Sequence, residues 1–384
     1  MMLGFLLARA GIDVIVLEKH ADFLRDFRGD TVHPSTMQVM HELGLLDAFL
    51  KRPHSEVRSI AVQIGHERLT VGDFTHLPTQ AKFIAFMPQW EFLDFLAENG
   101  KRLSSFHVYM RTEAIDLLRD GDRITGVIAN GPDGSLDIRA DLVVACDGRH
   151  STLRNAAGSR VIDHGAPMDV LWLRISKQPS DPSQTFGHID AGRFFIMLDR
   201  DDYWQCAFVI PKGGIDQIHA RGLDDFRAEI ATLSPFLGDR VQEIASWDDV
   251  KLLTVAVNRM DTWYRPGLLF IGDAAHAMSP VGGVGINLAI QDAVATANVL
   301  VPRMKQGAPS QDDLRAVQQR REWPTRMTQR MQVVIQNRVI NSVLRSTTTP
   351  KPPLVAQLLG RFPVLRRLPA RIVGMGFRPE HIRH

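Results

Sequence analysis

GLLFIGDAAHAMSPVGGVGINLAIQDA, residues 267–293, decides how the chain is read. Gly267 to Ile271 is a short apolar run of the kind that forms a buried strand. It ends at Gly272 and Asp273, and a loop containing Gly282, Gly283 and Gly285 follows. Helical spacing starts near Ile286 and continues to Arg303. In open α/β sheets, ligands bind where such strands end and the next helix begins. Asp273 stands where a carboxylate can hold polyol hydroxyls. The helix start offers N–H groups with no intrahelical acceptor and the positive end of the helix dipole. These suit an anionic ring oxygen or nitrogen. Pro280 stiffens the loop. His276 invites a catalytic reading, but a lone histidine in a tight turn is more often structural.

Working outward, DLVVACDGRHSTLR at 141–154 repeats the logic. A buried strand delivers Asp147 and Gly148 to its carboxyl end, with Arg149 and Arg154 available for phosphate and Ser151 as a helix N-cap. At the amino end, Leu3 to Ala10 reads as a helix closed by Gly11, and Ile12 to Leu17 as a buried parallel strand ending at Glu18. Helix, strand and terminal acid are the later parts of a dinucleotide-binding unit, in which the acid accepts hydrogen bonds from a ribose. The G-x-G-x-x-G that belongs roughly 20 residues before the acid would lie before Met1, so the reading expects an N-terminally truncated unit that folds poorly or binds its dinucleotide weakly. Residues 165–260 change character. Val170 to Ser176, Arg193 to Asp199 and Tyr203 to Pro211 have strand length, and the stretch reads as an antiparallel sheet with one face covered. NGPDG at 130–134 is a hairpin turn. The remainder to His384 is helical and basic, with proline breaks.

Bulk properties narrow the function. A net charge of +2 over 384 residues gives no reason to expect nucleic acid as a partner. Two cysteines, Cys146 and Cys206, fit a reducing, cytoplasmic setting. No run of 18 apolar residues occurs.

Three segments resemble the single-component FAD-dependent aromatic hydroxylases, the family typified by para-hydroxybenzoate hydroxylase: LEKH at 17–20, CDGRHSTLR at 146–154 and GDAAHAMSPVGGVGINLAIQDA at 272–293. The resemblance implies an α/β fold in which an FAD-binding Rossmann-like domain of the glutathione-reductase type interleaves with an antiparallel-sheet substrate domain, followed by C-terminal helices. The expected division assigns 1–70, 100–160 and 262–303 to FAD, 71–99 and 161–261 to the substrate domain, and 304–384 to the helices. The resemblance further implies that Gly272, Asp273, Gly285, Ile286 and Asn287 hold the ribityl chain and cap the flavin pyrimidine. Pro280 and Gly285 shape that capping loop, with no acid or base assigned. Glu18, Asp147, Arg28 in FRGDTVHPSTMQVMHELG and Gln89 in MPQWEFLDFL complete the FAD contacts. NADH or NADPH serves as co-substrate without a dinucleotide domain of its own, and O₂ supplies the oxygen added to a small aromatic or polyketide-like ring.

The substrate is expected between the flavin and the 165–260 sheet, against Trp172, Phe195, Met197, Tyr203, Trp204 and Phe208. Aromatics spaced in this way are more often core. RFPVLRRLPAR at 361–371 mixes basic and apolar residues. It reads either as a solvated terminal helix with core-facing leucines, or as a segment resting weakly on a membrane surface or a partner. Three rivals stay open: a flavin-dependent reductase, a halogenase of the same fold (though no W-x-W-x-I is present), and a non-catalytic truncated paralogue.

Overall fold

The computed structural model describes residues 1–24, 31–65, 67–182 and 185–383. Its first helix, Met2–Arg9, is buried from Met2 to Ala8. Gly11, at φ 82°, ends it. The Gly11 N–H reaches the Ala8 carbonyl at 2.9 Å and the Ile12 N–H reaches Leu7 at 3.1 Å, the paired bonds of a Schellman C-cap. Gly4 is where the helix lies on the sheet: a Cβ there would come within 2.6 Å of Val16 and 3.1 Å of Phe106. Val14–Leu17 pairs in parallel with Phe106–Tyr109. Val143–Ala145 pairs in parallel with Leu268–Phe270. Among the described residues no strand is hydrogen-bonded between these two pairs.

The strand expected to be buried over 12–17 is a ladder only over Val14–Leu17, and it is half-buried. Val14 and Val16 rest on the helix, whereas Ile15 alternates to the other side and is 42% exposed. The hairpin at 130–134 is present: Gly131 pairs with Gly134 around Pro132 and Asp133.

The expected antiparallel sheet is a mixed one of seven strands, in the order Lys251–Leu253, Met168–Ser176, Tyr203–Pro211, Arg193–Asp199, Phe186–Asp190, Ser59–Ile64, Glu67–Asp73, antiparallel throughout except that Phe186–Asp190 and Ser59–Ile64 run parallel. Residues 59–73 therefore sit in this sheet rather than with the parallel strands, where the sequence division had put them up to residue 70. The Gln89–Gly100 helix goes the other way: Phe92, Phe95 and Leu96 share a core with Phe5 and Leu6 of the first helix. Both swaps arise because local periodicity fixes an element's type but not which sheet it joins.

One face of the seven-stranded sheet is covered by the helices Ile215–Arg221 and Leu223–Leu233 and by residues 235–243. Leu171, Leu173, Phe195, Met197, Trp204 and Phe208 all point into that layer. Phe195, Met197 and Trp204 are fully buried there and Phe208 nearly so, which removes all four as substrate contacts. The opposite face carries Val170, Trp172 and Ala207 in one cluster, and Val209 with Phe194 in another. Tyr203 alternates with Trp204 and lies on this second face, under the Arg174 guanidinium at 3.8 Å.

The Gly285–Met304 helix carries Pro302 near its end, and the Gln311–Ile335 helix carries Pro324. Residues 281–304 are long and apolar enough to cross a membrane, but 72% of the most apolar window is buried inside the protein, so this is a core helix.

Phe195 fills the layer between the sheet and its covering helices. Phe195→Ala is expected to cost about 3–5 kcal/mol of stability, read as the shift in urea midpoint, while the KM for an aromatic substrate stays within about twofold. A large rise in KM with little loss of stability would return Phe195 to the substrate wall.

Candidate active site

After Phe270 the chain turns at Gly272, at φ 59°. The Gly272 N–H donates to Asp292 Oδ2 at 3.0 Å, from the next helix back to the turn. His276 is buried against Trp263, with ring centroids 4.8 Å apart, and its Nε2 lies 2.6 Å from Asp292 Oδ2. This bears out the structural reading of His276. Asp292 Oδ1 accepts from Arg321 Nε at 2.8 Å, and Arg321 also faces Glu380 at 3.5 Å. Burial pushes the Asp292 carboxyl up, but the charges and hydrogen bonds of His276 and Arg321 outweigh it and hold the group below its ordinary value.

The loop beyond is strapped from behind. Gln332 accepts from the Ser279 N–H at 3.2 Å and donates to the Ser279 and Val281 carbonyls at 2.9 Å each. Gly282 and Gly283 adopt φ 80° and 61°, and a Cβ on Gly283 would come within 2.3 Å of Thr31 Oγ1. Only glycine fits that approach.

Asn287 closes the arrangement. Its Oδ1 accepts from the His33 N–H and the Thr36 hydroxyl, both at 2.8 Å, and its Nδ2 donates to the Thr31 carbonyl at 2.9 Å and the Gly283 carbonyl at 3.2 Å. The position before the Gly285–Met304 helix is Val284, which has no capping side chain. The N–H groups of Gly285, Ile286 and Asn287 therefore have no acceptor among the described residues. An uncapped, rigidly held helix start fits the anionic pyrimidine end of a flavin. The Asn287 side chain is not part of that offer: it ties the helix to residues 31–36, and its backbone N–H is what remains.

The other expected positions fall as follows. Asp147 follows Val143–Ala145, which neighbours Leu268–Phe270, so Asp147 shares a sheet edge with Gly272 and Asp273. Its Oδ2 accepts from the Leu153 N–H at 3.1 Å, and Ser151 caps the same short helix. Glu18 follows Val14–Leu17 and accepts from the His20 N–H at 3.0 Å. The Met1 amino group is within electrostatic reach of both Glu18 and Cys146. Gln89 opens its helix as expected. Arg28 lies outside the described residues. Arg154 is not available for phosphate, because it is buried and donates to the Ala274 carbonyl at 2.8 Å and the Arg149 carbonyl at 2.7 Å. Arg149 itself donates to the Thr254 carbonyl at 3.3 Å.

Sequence reasoning missed Thr31, His33, Thr36, Arg321 and Gln332. All contact the loop or its helix from distant parts of the chain, and no local pattern announces them. His33 is buried and its Nδ1 is 2.8 Å from the Val373 carbonyl. Burial pushes its pKa down to about 4, against the pull of that carbonyl, so the ring is neutral at pH 7.

Comparison with known proteins follows this geometry. The FAD-binding domain family matches residues 1–331. The 6-methylpretetramide 4-monooxygenase of Streptomyces rimosus is 31% identical over 96% of this chain and 88% of its own length. A rifampicin monooxygenase from Streptomyces venezuelae is 29% identical over 76% of this chain, and the match spans 60% of that relative. Among solved structures, PqsL of Pseudomonas aeruginosa, described as a probable FAD-dependent monooxygenase, superposes with a TM-score of 0.74 over 90% of this chain and 93% of its own, at 21% identity. The anhydrotetracycline hydroxylase OxyS of Streptomyces rimosus gives 0.73 over 97% of this chain and 73% of its own, at 21% identity.

Two measurements test the scaffold of the site. Unfolded histidine titrates near 6.5 and folded His33 near 4, so between those values the unfolded chain holds a proton that the native chain lacks. Stability is unaffected by this group above about pH 6.5 and falls as pH drops towards 4, by on the order of 3 kcal/mol in total. His33→Gln is expected to flatten the stability-against-pH curve in that window, and an unchanged slope would refute the assignment. Asp292→Asn removes the anion that holds the Gly272 N–H, His276 and Arg321, leaving Arg321 only the longer contact to Glu380, and is expected to cost about 3–5 kcal/mol in chemical denaturation. A loss below about 1 kcal/mol would mean the pair behaves as an exposed one.

Proposed function

The chain belongs to the FAD-binding domain family of flavin-dependent aromatic hydroxylases, and on that premise we propose that it hydroxylates a phenolic, polycyclic aromatic of polyketide type, using NADH or NADPH and O₂. The observation that carries the reading is the set of unpaired N–H groups at Gly285, Ile286 and Asn287, held in place by the Asn287 carboxamide. When bound there, FAD supplies acceptance of hydride from the nicotinamide and activation of O₂.

The chain's own residues have separate tasks. Asp273 holds the ribityl hydroxyls, Glu18 the ribose, and Arg28, Gln89 and Asp147 further parts of the dinucleotide. Gly272 makes the turn that presents Asp273. Pro280 and the glycines after it keep the loop from collapsing into the site. The helix start stabilises negative charge on the ring without having to reorganise.

The substrate lies between this loop and the open face of the antiparallel sheet. Val281 packs in one cluster with Phe194, Val209 and Ile340, so the loop and the sheet's open face adjoin. Trp172 and Tyr203 are the sequence candidates that remain on that face. A polycyclic substrate is favoured because the 6-methylpretetramide monooxygenase matches along nearly the whole chain. Cys146 and Cys206 are both free, which agrees with a cytoplasmic setting.

The test is a visible-light titration of the purified chain with FAD, followed by NADH and NADPH oxidation with O₂ uptake in the presence of polycyclic phenols. Expected are a bound-flavin spectrum and substrate-stimulated turnover that places one labelled oxygen atom from O₂ in the product. Bound FAD with reductant oxidation but no oxygenated product under any polycyclic phenol would favour the reductase alternative.

A further inference from the structure

The C-terminal helices are built with their apolar sides reversed. Leu354–Arg361 and Arg367–Met375 lie on the edge strand Glu67–Asp73 through small residues. Gly360 sits against Leu69, where a Cβ would come within 2.9 Å, and Gly374 sits against Leu77, Phe74 and Pro34. Ala370 is buried beside them. Val373 and Met375 pack inward with them, but six large apolar side chains point the other way: Leu354, Val355, Leu358, Val364, Leu365 and Leu368 are between 46% and 76% exposed. Leu365 and Leu368, which the sequence reading would have turned to the core, face solvent; the core side is taken by Gly360 on the first helix and by Ala370, Val373, Gly374 and Met375 on the second.

Charge is segregated onto the same region. Residues 323–379 contain ten of the chain's 45 lysines and arginines and none of its 43 aspartates and glutamates, which leaves the remaining residues at a net −8. Arg361, Arg367 and Arg371 are exposed among the apolar side chains, and Arg338, Arg345 and Lys351 are exposed on the preceding stretch.

We propose that this face docks on an anionic lipid surface, with the leucines and valines entering the headgroup boundary and the arginines pairing with lipid phosphates. Three occupants compete for such a surface, and the charge decides among them. A symmetric dimer would press two copies of the same strongly cationic stretch together, at a repulsive cost. A nucleic acid would pair the arginines but leave the apolar ridge in water. An anionic bilayer satisfies both. The docking is peripheral, since neither helix approaches the length needed to span a bilayer.

Vesicle flotation of the full chain tests this with phosphatidylcholine alone and with phosphatidylglycerol added. Flotation is expected with the anionic vesicles, weaker by roughly tenfold or more on neutral vesicles or in 0.5 M salt. A variant carrying Leu354→Ser, Val355→Ser, Val364→Ser and Leu368→Ser is expected to lose flotation by a similar factor, and so is one carrying Arg361→Gln, Arg367→Gln and Arg371→Gln. Both variants should keep the parent's Tm and its flavin spectrum, because these side chains touch neither the core nor the loop. The proposal fails if the parent does not float with anionic vesicles, or if the serine variant floats as well as the parent. It also fails if light scattering shows a dimer that the serine variant abolishes while vesicle binding is absent.

Discussion

A helix that begins without a cap constrains everything around it. Most helices satisfy their first N–H groups with a serine, threonine, aspartate or asparagine at the boundary. Here the boundary residue is Val284, and the nearest polar side chain, Asn287, makes four hydrogen bonds elsewhere. Those bonds hold the helix start against residues 31–36 and stop the loop from curling back to cap it. Gly283 can pass so close to Thr31 only because it has no Cβ. Among the described residues the N–H groups of Gly285, Ile286 and Asn287 keep no acceptor on a firmly held helix start, which is what stabilisation of a charge on a ligand requires.

Such a rigid edge needs support from behind, and a single buried carboxylate gives it. Asp292 accepts from the Gly272 amide, His276 and Arg321. Any one of these partners alone would leave a desolvated charge poorly compensated. Together they join the turn after Phe270, the Gly285–Met304 helix and the Gln311–Ile335 helix at one point. Arg321 extends the link to Glu380, whose carboxylate also takes a bidentate contact from Arg320 at 2.5–2.9 Å. The end of the chain is thereby fastened to the back of the site.

The parts legible in the sequence were those fixed by local chemistry. Gly11 closes a helix, Pro132-Asp133 makes a hairpin, and Gly282 and Gly283 lie in the loop before the Gly285–Met304 helix. Misread parts depended on what lies across from an element. Phe195 and Met197 have the period of a strand with one apolar face, but nothing within the strand says whether that face meets a ligand or the Leu223–Leu233 helix. Arg154 reads as a phosphate ligand until the carbonyl of Ala274, 120 residues away, is seen to occupy it. Leu365 and Leu368 allowed a core-facing reading for the same reason, since an amphipathic pattern shows that two faces differ without showing which one is inside.

The C-terminal stretch has two kinds of attachment that do not interfere. Its inward contacts are the Val373 carbonyl to His33, Glu380 to Arg320 and Arg321, Gly374 against Leu77, and Val373 and Met375 in the cluster around Phe74. Its outward contacts are large, apolar and cationic. An ordinary amphipathic helix buries its leucines in its own protein and leaves its charges in water. Here Gly360, Ala370 and Gly374, with Val373 and Met375, take the inward role, so the exposed leucines are not needed for folding. Residues unneeded for folding, clustered, and surrounded by charge of one sign are under a different constraint, set by what the protein meets in solution.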